Sequence, residues 1–301
     1  MPRTFAAKHR LVVAATVLAL GVVAVVTSTP SGAAGDTAFG AVVKPQPGES
    51  FSAALRRSES AYGHLGVIRY FDGNAPDSWP ALTAKLKTHD AIVSWRIPPK
   101  DVLSGRYDTL IRDWFASAPT DRMTWYSYMH EPEDNIARGE FTAADYRAAF
   151  QHVTQLARSA ANPKLRSTLI LMCFTANPAS GRNWRDYFAG SANVDVMGWD
   201  CYNHGNGAGG YGTPANLFAN AIADSRSVGL PWGIAELGST LAGGDRGQGR
   251  AAWLTACARY LSSRGAAFVS YFDTNGAGTD YRLLDKPSRG AWHDVVVDQV
   301  P

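Results

Sequence analysis

Short apolar, β-branched or aromatic runs alternate along most of the chain with longer stretches whose apolar residues recur at helical spacing. The short runs read as buried strands and the longer ones as amphipathic helices. Strands are predicted at Phe39–Val43, Leu65–Tyr70, Ala91–Trp95, Met123–Tyr128, Thr168–Cys173, Val194–Trp199, Trp232–Ala235 and Ala267–Phe272. Helices are predicted at Ser52–Ala61, Trp79–Thr88, Thr109–Ala116, Trp184–Phe188 and Gly249–Ser263. The most regular helix follows Thr142, an N-cap residue type, and places Tyr146, Ala149, Phe150, Val153 and Leu156 on one stripe. Thr213-Pro214 opens another that reaches Ser227, with proline at the first helical position.

Eight strands alternating with helices predict a parallel sheet, and eight is the number that closes a (β/α)8 barrel. The competing architecture, an open doubly wound sheet, needs a glycine-rich phosphate turn after its first strand. Lys44-Pro45-Gln46-Pro47-Gly48 stands there instead, and its prolines cannot supply the backbone donors. The expected fold is therefore a single-domain α/β barrel over residues 35–301. Residues 1–34 are set apart: Arg3, Lys8 and Arg10 precede an apolar run from Leu11 to Val26 and a small-residue exit, Ser31-Gly32-Ala33-Ala34. That order reads as a secretory signal peptide, so the chain is expected to be secreted with no stable membrane association after cleavage.

Charge narrows the partners. The chain holds 29 basic and 26 acidic residues, and the signal carries three of the basic ones. The remainder is balanced, with no basic stripe to attract nucleic acid or anionic lipid. A neutral, aromatic-rich chain suits a polysaccharide or oligosaccharide partner, and a monomer is expected. The three cysteines form no CxxC pair, and His64 and His152 stand without metal-ligand spacing, so no metal site is predicted. Cys173 and Cys201 fall near the same ends of neighbouring strands, where a bridge is possible. Cys257 reads as a buried small apolar residue.

In a closed barrel the active site lies at the carboxyl ends of the strands. The residues there include Arg69 and Asp72, Trp95 and Arg96, His130 and Glu131, Asp200 and Tyr202, Glu236, and Asp273. Glu131 and Glu236 each end a buried, apolar run, and a desolvated acid costs several kcal/mol unless it is paired. The plain alternative for each is a structural ion pair with Arg69 or Arg96. Two such acids at matching strand ends fit glycoside hydrolysis, in which a retaining mechanism holds the carboxyl groups about 5–5.5 Å apart.

Met129-His130-Glu131-Pro132 and Ile234-Ala235-Glu236-Leu237-Gly238 resemble the acid/base and nucleophile motifs of the retaining glycoside hydrolases of clan A. Histidine before the acid/base resembles family 26, the β-mannanases and related endo-β-glycanases. Asp195-Val196-Met197-Gly198-Trp199-Asp200-Cys201-Tyr202 is similar to that family's sixth strand. The resemblance implies that Glu131 is the general acid/base, that Glu236 is the nucleophile, that His130 shapes the adjoining sugar subsite and that Tyr202 hydrogen-bonds the nucleophile. Arg69 is the candidate cation for keeping Glu236 charged. The sequence departs from the family in lacking an Arg-Pro pair before His130, in carrying Glu133-Asp134-Asn135 where a Trp-rich segment is usual, and in ending its eighth strand Tyr271-Phe272-Asp273.

Trp95, Trp199, Tyr202, Tyr211 and Phe272 are candidates to stack on sugar faces, Trp199 first among them, and Asp200 and Asp273 are candidate substrate contacts. Residues 205–212 are glycine-rich and read as a mobile loop over the cleft, with His204 beside it. The leading expectation is a secreted retaining endo-β-glycanase without a cofactor, on β-mannan first and β-glucan or xylan next. The alternatives are a non-catalytic carbohydrate-binding barrel and a metal-dependent hydrolase using Asp72, Asp200 and Asp273.

Overall fold

The computed structural model describes Met1 and residues 36–203, 210–276 and 278–298. The expected signal peptide, His204 and residues 205–209 lie outside the described residues. Eight parallel strands pair in chain order and close on themselves: β1 (Ala38–Val42), β2 (Val67–Phe71), β3 (Asp90–Trp95), β4 (Thr124–Tyr128), β5 (Leu165–Met172), β6 (Val196–Asn203), β7 (Trp232–Ser239) and β8 (Phe268–Tyr271). This is the (β/α)8 barrel the alternation predicts.

Around it lie α1 (Phe51–Tyr62), α2 (Trp79–Leu86), α3 (Pro99–Leu103), α4 (Asp108–Ala116), α5 (Glu133–Ala137), α6 (Ala143–Arg158), α7 (Pro214–Ser227), α8 (Gln248–Ser262) and α9 (Lys286–Asp298). The regular spacing after Thr142 yields α6, whose start is locked by a reciprocal cap. Thr142 accepts from the Asp145 backbone N–H, and Asp145 accepts from that of Thr142. Two expectations are corrected. The stretch Trp184–Phe188 forms only a 3-10 turn, Trp184–Asp186, so the β5–β6 connection is built from such turns. Helix α9 is absent from the predicted elements, because Pro287 and Gly290 interrupt its pattern. It forms because Trp292 is fully buried against Phe39 and Tyr271 and donates to the Gly40 carbonyl at 3.2 Å. Tertiary burial overrides a weak local preference.

Side chains divide by strand parity. Val67, Ile92, Trp125, Ile170, Val196, Ala235 and Phe268 fill the barrel interior. The alternate positions pack outward against the helices in a larger cluster. Gly233 faces the axis because a Cβ there would lie 2.6 Å from the Phe268 ring. Strand β7 breaks its own alternation. Trp199 pairs with Ile234, but the next residue, Asp200, pairs with Glu236. Against β8, Ile234 pairs with Val269 and Leu237 with Tyr271. Both neighbours therefore see one extra residue in β7, a β-bulge beside Ala235 that re-aims the side chains beyond it. Cys173 and Cys201 are bridged, and Cys257 is a buried free thiol. No described helix is long and apolar enough to cross a membrane.

Candidate active site

The bulge in β7 matters first because it turns Glu236 inward. With Gly233 and Ala235 facing the axis, strict alternation would send Glu236 out to the helices. Instead Glu236 is buried and accepts from Arg69 Nη2 at 3.2 Å and from the Tyr202 hydroxyl. Arg69 is fully buried on β2, held by the Ser94 hydroxyl at 2.5 Å and lying 4.1 Å over the Phe71 ring centroid. The Tyr202 ring is wedged between Phe272 and Tyr281, with centroids 5.5 and 4.8 Å away. Gly238 leaves room for it, since a Cβ there would meet the Tyr202 ring at 2.6 Å. Glu236 thus sits between a fixed cation and a fixed hydroxyl donor.

Glu131 is set by a different device. Past β4, Met129 and Glu131 adopt left-handed backbone conformations, with φ of 50° and 49°. Such conformations cost about 1–3 kcal/mol each and persist where the surroundings hold them. Here the Glu131 N–H donates to the Ile170 carbonyl at 3.0 Å, and the Tyr146 hydroxyl of α6 donates to the Met129 carbonyl at 3.3 Å. Burial pushes the Glu131 carboxyl up to about 8, with the charges of Glu236 and Glu133 adding to the rise and Arg69 and Arg96 opposing it. At neutral pH Glu131 is a protonated acid close to an ion-paired carboxylate.

A third carboxyl completes the cluster. Asp200 is buried on β6, and among the described residues neither of its oxygens has a hydrogen-bond partner. Burial and the charges of Glu236 and Glu131 raise it well above the usual carboxylate range. Protonated, it has one O–H to donate. His130 packs 5.4 Å from Phe71, and burial together with Arg69 and Arg96 pushes its ring well below the usual histidine value, which keeps it neutral. Two adjoining cavities meet over these groups. One of about 640 Å³ is lined by Phe71, His130, Glu131, Tyr202, Glu236 and Phe272. The other, about 270 Å³, is lined by Glu131, Phe174, Asn177, Asp200, Tyr202 and Asn220. Glu131 and Tyr202 belong to both.

Parity removes three expected contacts from the cleft. Trp199 lies one residue before inward-facing Asp200, so it points outward; it is fully buried and donates to Ser225 of α7 at 2.9 Å. Trp95 likewise comes after inward Ser94 and packs 5.4 Å from the Tyr128 ring, fully buried. Asp273 comes after Phe272 and ties the barrel to its surroundings, accepting from the Tyr62 hydroxyl of α1 at 2.8 Å and the Leu283 N–H at 2.9 Å. Tyr211, similarly, donates to Asp245 at 2.6 Å and does not line either cavity. Asp72 accepts the Asp77 N–H and Asp273 faces α1, so the two do not converge with Asp200 on a common point. Two participants lie outside the sequence-predicted set. Ser94 positions Arg69, and its place two residues past inward Ile92 could have identified it. Glu133 is buried beneath the site, accepting from Met172 N–H and the Thr175 hydroxyl at 2.9 and 2.8 Å. No local pattern marks a carboxylate that ties one strand end to the next.

Several solved structures are similar to this chain. A glucosidase from Croceicoccus marinus superposes with a TM-score of 0.61 at 13% identity, over 88% of this chain and 68% of that one. An endo-β-1,4-mannanase from Cellulomonas fimi gives 0.60 at 12% identity, over 87% and 71%. The catalytic domain of a glycoside hydrolase family 26 endo-β-1,4-mannanase from a Bacillus species gives 0.57 at 15% identity, over 88% and 86%. At such identities the likeness shows a shared fold, the (β/α)8 barrel. No family model matches the chain, and no curated protein matches it.

Proposed function

We propose that this protein is a secreted, retaining endo-β-glycanase that cleaves a β-linked polysaccharide without a cofactor. The observation that carries the reading is the different surroundings of two carboxyl groups on one cleft. Glu131 is pushed up to about 8, while Glu236 is paired with Arg69 and Tyr202. A protonated acid beside a carboxylate held by a cation and a hydroxyl is the pairing that an acid and a nucleophile require.

In the first step the Glu236 carboxylate attacks the anomeric carbon, and the bond from that carbon to the bridging oxygen breaks. Glu131 gives its proton to the departing oxygen, leaving a glycosyl ester on Glu236. In the second step water attacks the same carbon, Glu131 takes the water proton, and the ester bond breaks. His130 and Asp200 serve as uncharged contacts for sugar hydroxyls. The cavities on either side of Glu131 suit sugar units flanking the cleaved bond, which favours an endo mode. The mannanases among the similar structures make β-mannan the first substrate to test, with β-glucan and xylan next. The basic, apolar and small-residue order of residues 1–34 supports secretion.

The test is release of reducing ends from mannan, mixed-linkage glucan and xylan by the purified mature chain, with Glu236→Gln as control. Cleavage of at least one, lost in the variant, is expected. Inertness towards all three, or equal rates for both proteins, would overturn the reading.

A further inference from the structure

At the amino-terminal end of the barrel, opposite the cleft, three potential metal ligands converge from separate segments. Glu59 lies near the end of α1, His64 in the α1–β2 connection, and His89 between α2 and β3. Glu59 Oε1 stands 3.0 Å from His64 Nδ1 and 2.9 Å from His89 Nε2. The two imidazole rings have centroids 4.5 Å apart. We infer that these residues form a binding site for a borderline divalent cation of the zinc type, distinct from the hydrolytic centre.

Three features carry this inference. In a tetrahedral site with bonds of about 2.0–2.1 Å, the donor atoms lie about 3.3 Å apart, so the two Glu59–imidazole spacings are close to what one shared ion needs. Secondly, His89 Nδ1 lies 2.8 Å from the Leu86 carbonyl. That contact places the ring proton on Nδ1 and aims the Nε2 lone pair at the site, the outer hydrogen bond by which metal-binding histidines are oriented. Thirdly, His64 is 74% exposed, so the site opens to solvent and the fourth position falls to water. Two imidazoles and one carboxylate suit zinc better than the oxygen-seeking calcium or magnesium. Because the ligands join α1 to the entries of β2 and β3, the ion acts as a staple, and polysaccharide cleavage does not depend on it. The spacing of His64 and His89 along the chain conceals this site from the sequence.

Chelator-stripped protein, prepared without a histidine tag, is titrated with zinc chloride by calorimetry and by thermal melting. The expected result is saturable binding of about one equivalent and a Tm that rises with zinc concentration. His64→Ala, at an exposed position, should fold normally and weaken binding by at least about tenfold, since even outer-shell losses have that effect. Glu59→Gln should do the same. Absence of saturable binding, or unchanged affinity in His64→Ala, overturns the inference. Polysaccharide cleavage by the stripped protein should equal that of the loaded protein, so this test and that of the hydrolase reading fail separately.

Discussion

Asp200 and Glu236 are direct partners across the β6–β7 ladder, and both turn their carboxyl groups toward the barrel axis. Only the bulge beside Ala235 allows this, and it brings Glu236 to Arg69 and Tyr202 while Asp200 has no hydrogen-bond partner among the described residues. The chemistry of the cleft arises from that asymmetry.

Replacing Glu236 by Gln keeps the shape and one acceptor for Arg69 but removes the proposed nucleophile. Turnover of polysaccharide should fall by about three orders of magnitude or more. Circular dichroism should show an unchanged fold. A folded variant that retains a tenth of the wild-type kcat would remove Glu236 from the mechanism.

The pH dependence has a definite sign. The acid form of Glu131 persists up to about 8, so kcat/KM should decline as the pH rises past that value. Glu131→Gln should lose that alkaline limb when assayed on an aryl glycoside whose leaving group needs no protonation. Stability moves the same way. A carboxyl whose folded pKa lies above its ordinary 4.5 binds its proton more tightly when folded, so stability is greatest below about 4.5 and declines as the pH rises towards 8. At pH 9 Glu131→Gln should be more stable than wild type by on the order of 5 kcal/mol, and at pH 4 the two should coincide. Melting curves at both values decide this.

Arg69→Met leaves Glu236 as a buried charge without its cation. Destabilisation of about 3–5 kcal/mol at neutral pH is expected. The kcat/KM should fall by at least about tenfold, because the carboxylate has lost the cation that holds it in place. An unchanged kcat/KM in the folded variant would show that Arg69 only fills the barrel.

Tyr202→Phe keeps the ring between Phe272 and Tyr281 and removes one hydrogen bond to Glu236. A loss of about 1–3 kcal/mol of transition-state stabilisation corresponds to roughly 10–100-fold in kcat/KM. Gly238→Ala should produce a related defect by pressing a methyl against the Tyr202 ring. Wild-type kinetics in both variants would contradict the role given to this hydroxyl.

Trp199→Phe probes an outward residue. It should lose about 1 kcal/mol or more through the missing bond to Ser225 and the vacated volume, with KM unchanged. Phe174→Ala, at an exposed ring on the smaller cavity, should raise KM with little change in Tm. The opposite pairing would return Trp199 to the cleft.

The alternation of short and long apolar runs was enough to locate all eight strands, because a strand buried on both faces must be apolar nearly throughout. Glu131, Glu236, Tyr202, His130 and Arg69 were visible as polar residues interrupting such runs at their carboxyl ends. What misled was the same continuity. A run that is apolar on both faces carries no mark of which face is inward, so Trp95, Trp199 and Asp273 looked as available to the cleft as Ser94, Asp200 and Phe272.

The sequence by itself determined the number of strands, their order and the rim that holds the acids, since each depends on local hydrophobic patterning. Only the tertiary structure decided which side chains face the axis. Closure of the barrel fixes the parity of every strand against its neighbours, and a single extra residue in β7 reverses that parity at Glu236. The pairing of Glu59 with His64 and His89 had the same origin, three connections brought together at one end by a ring that no local stretch encodes.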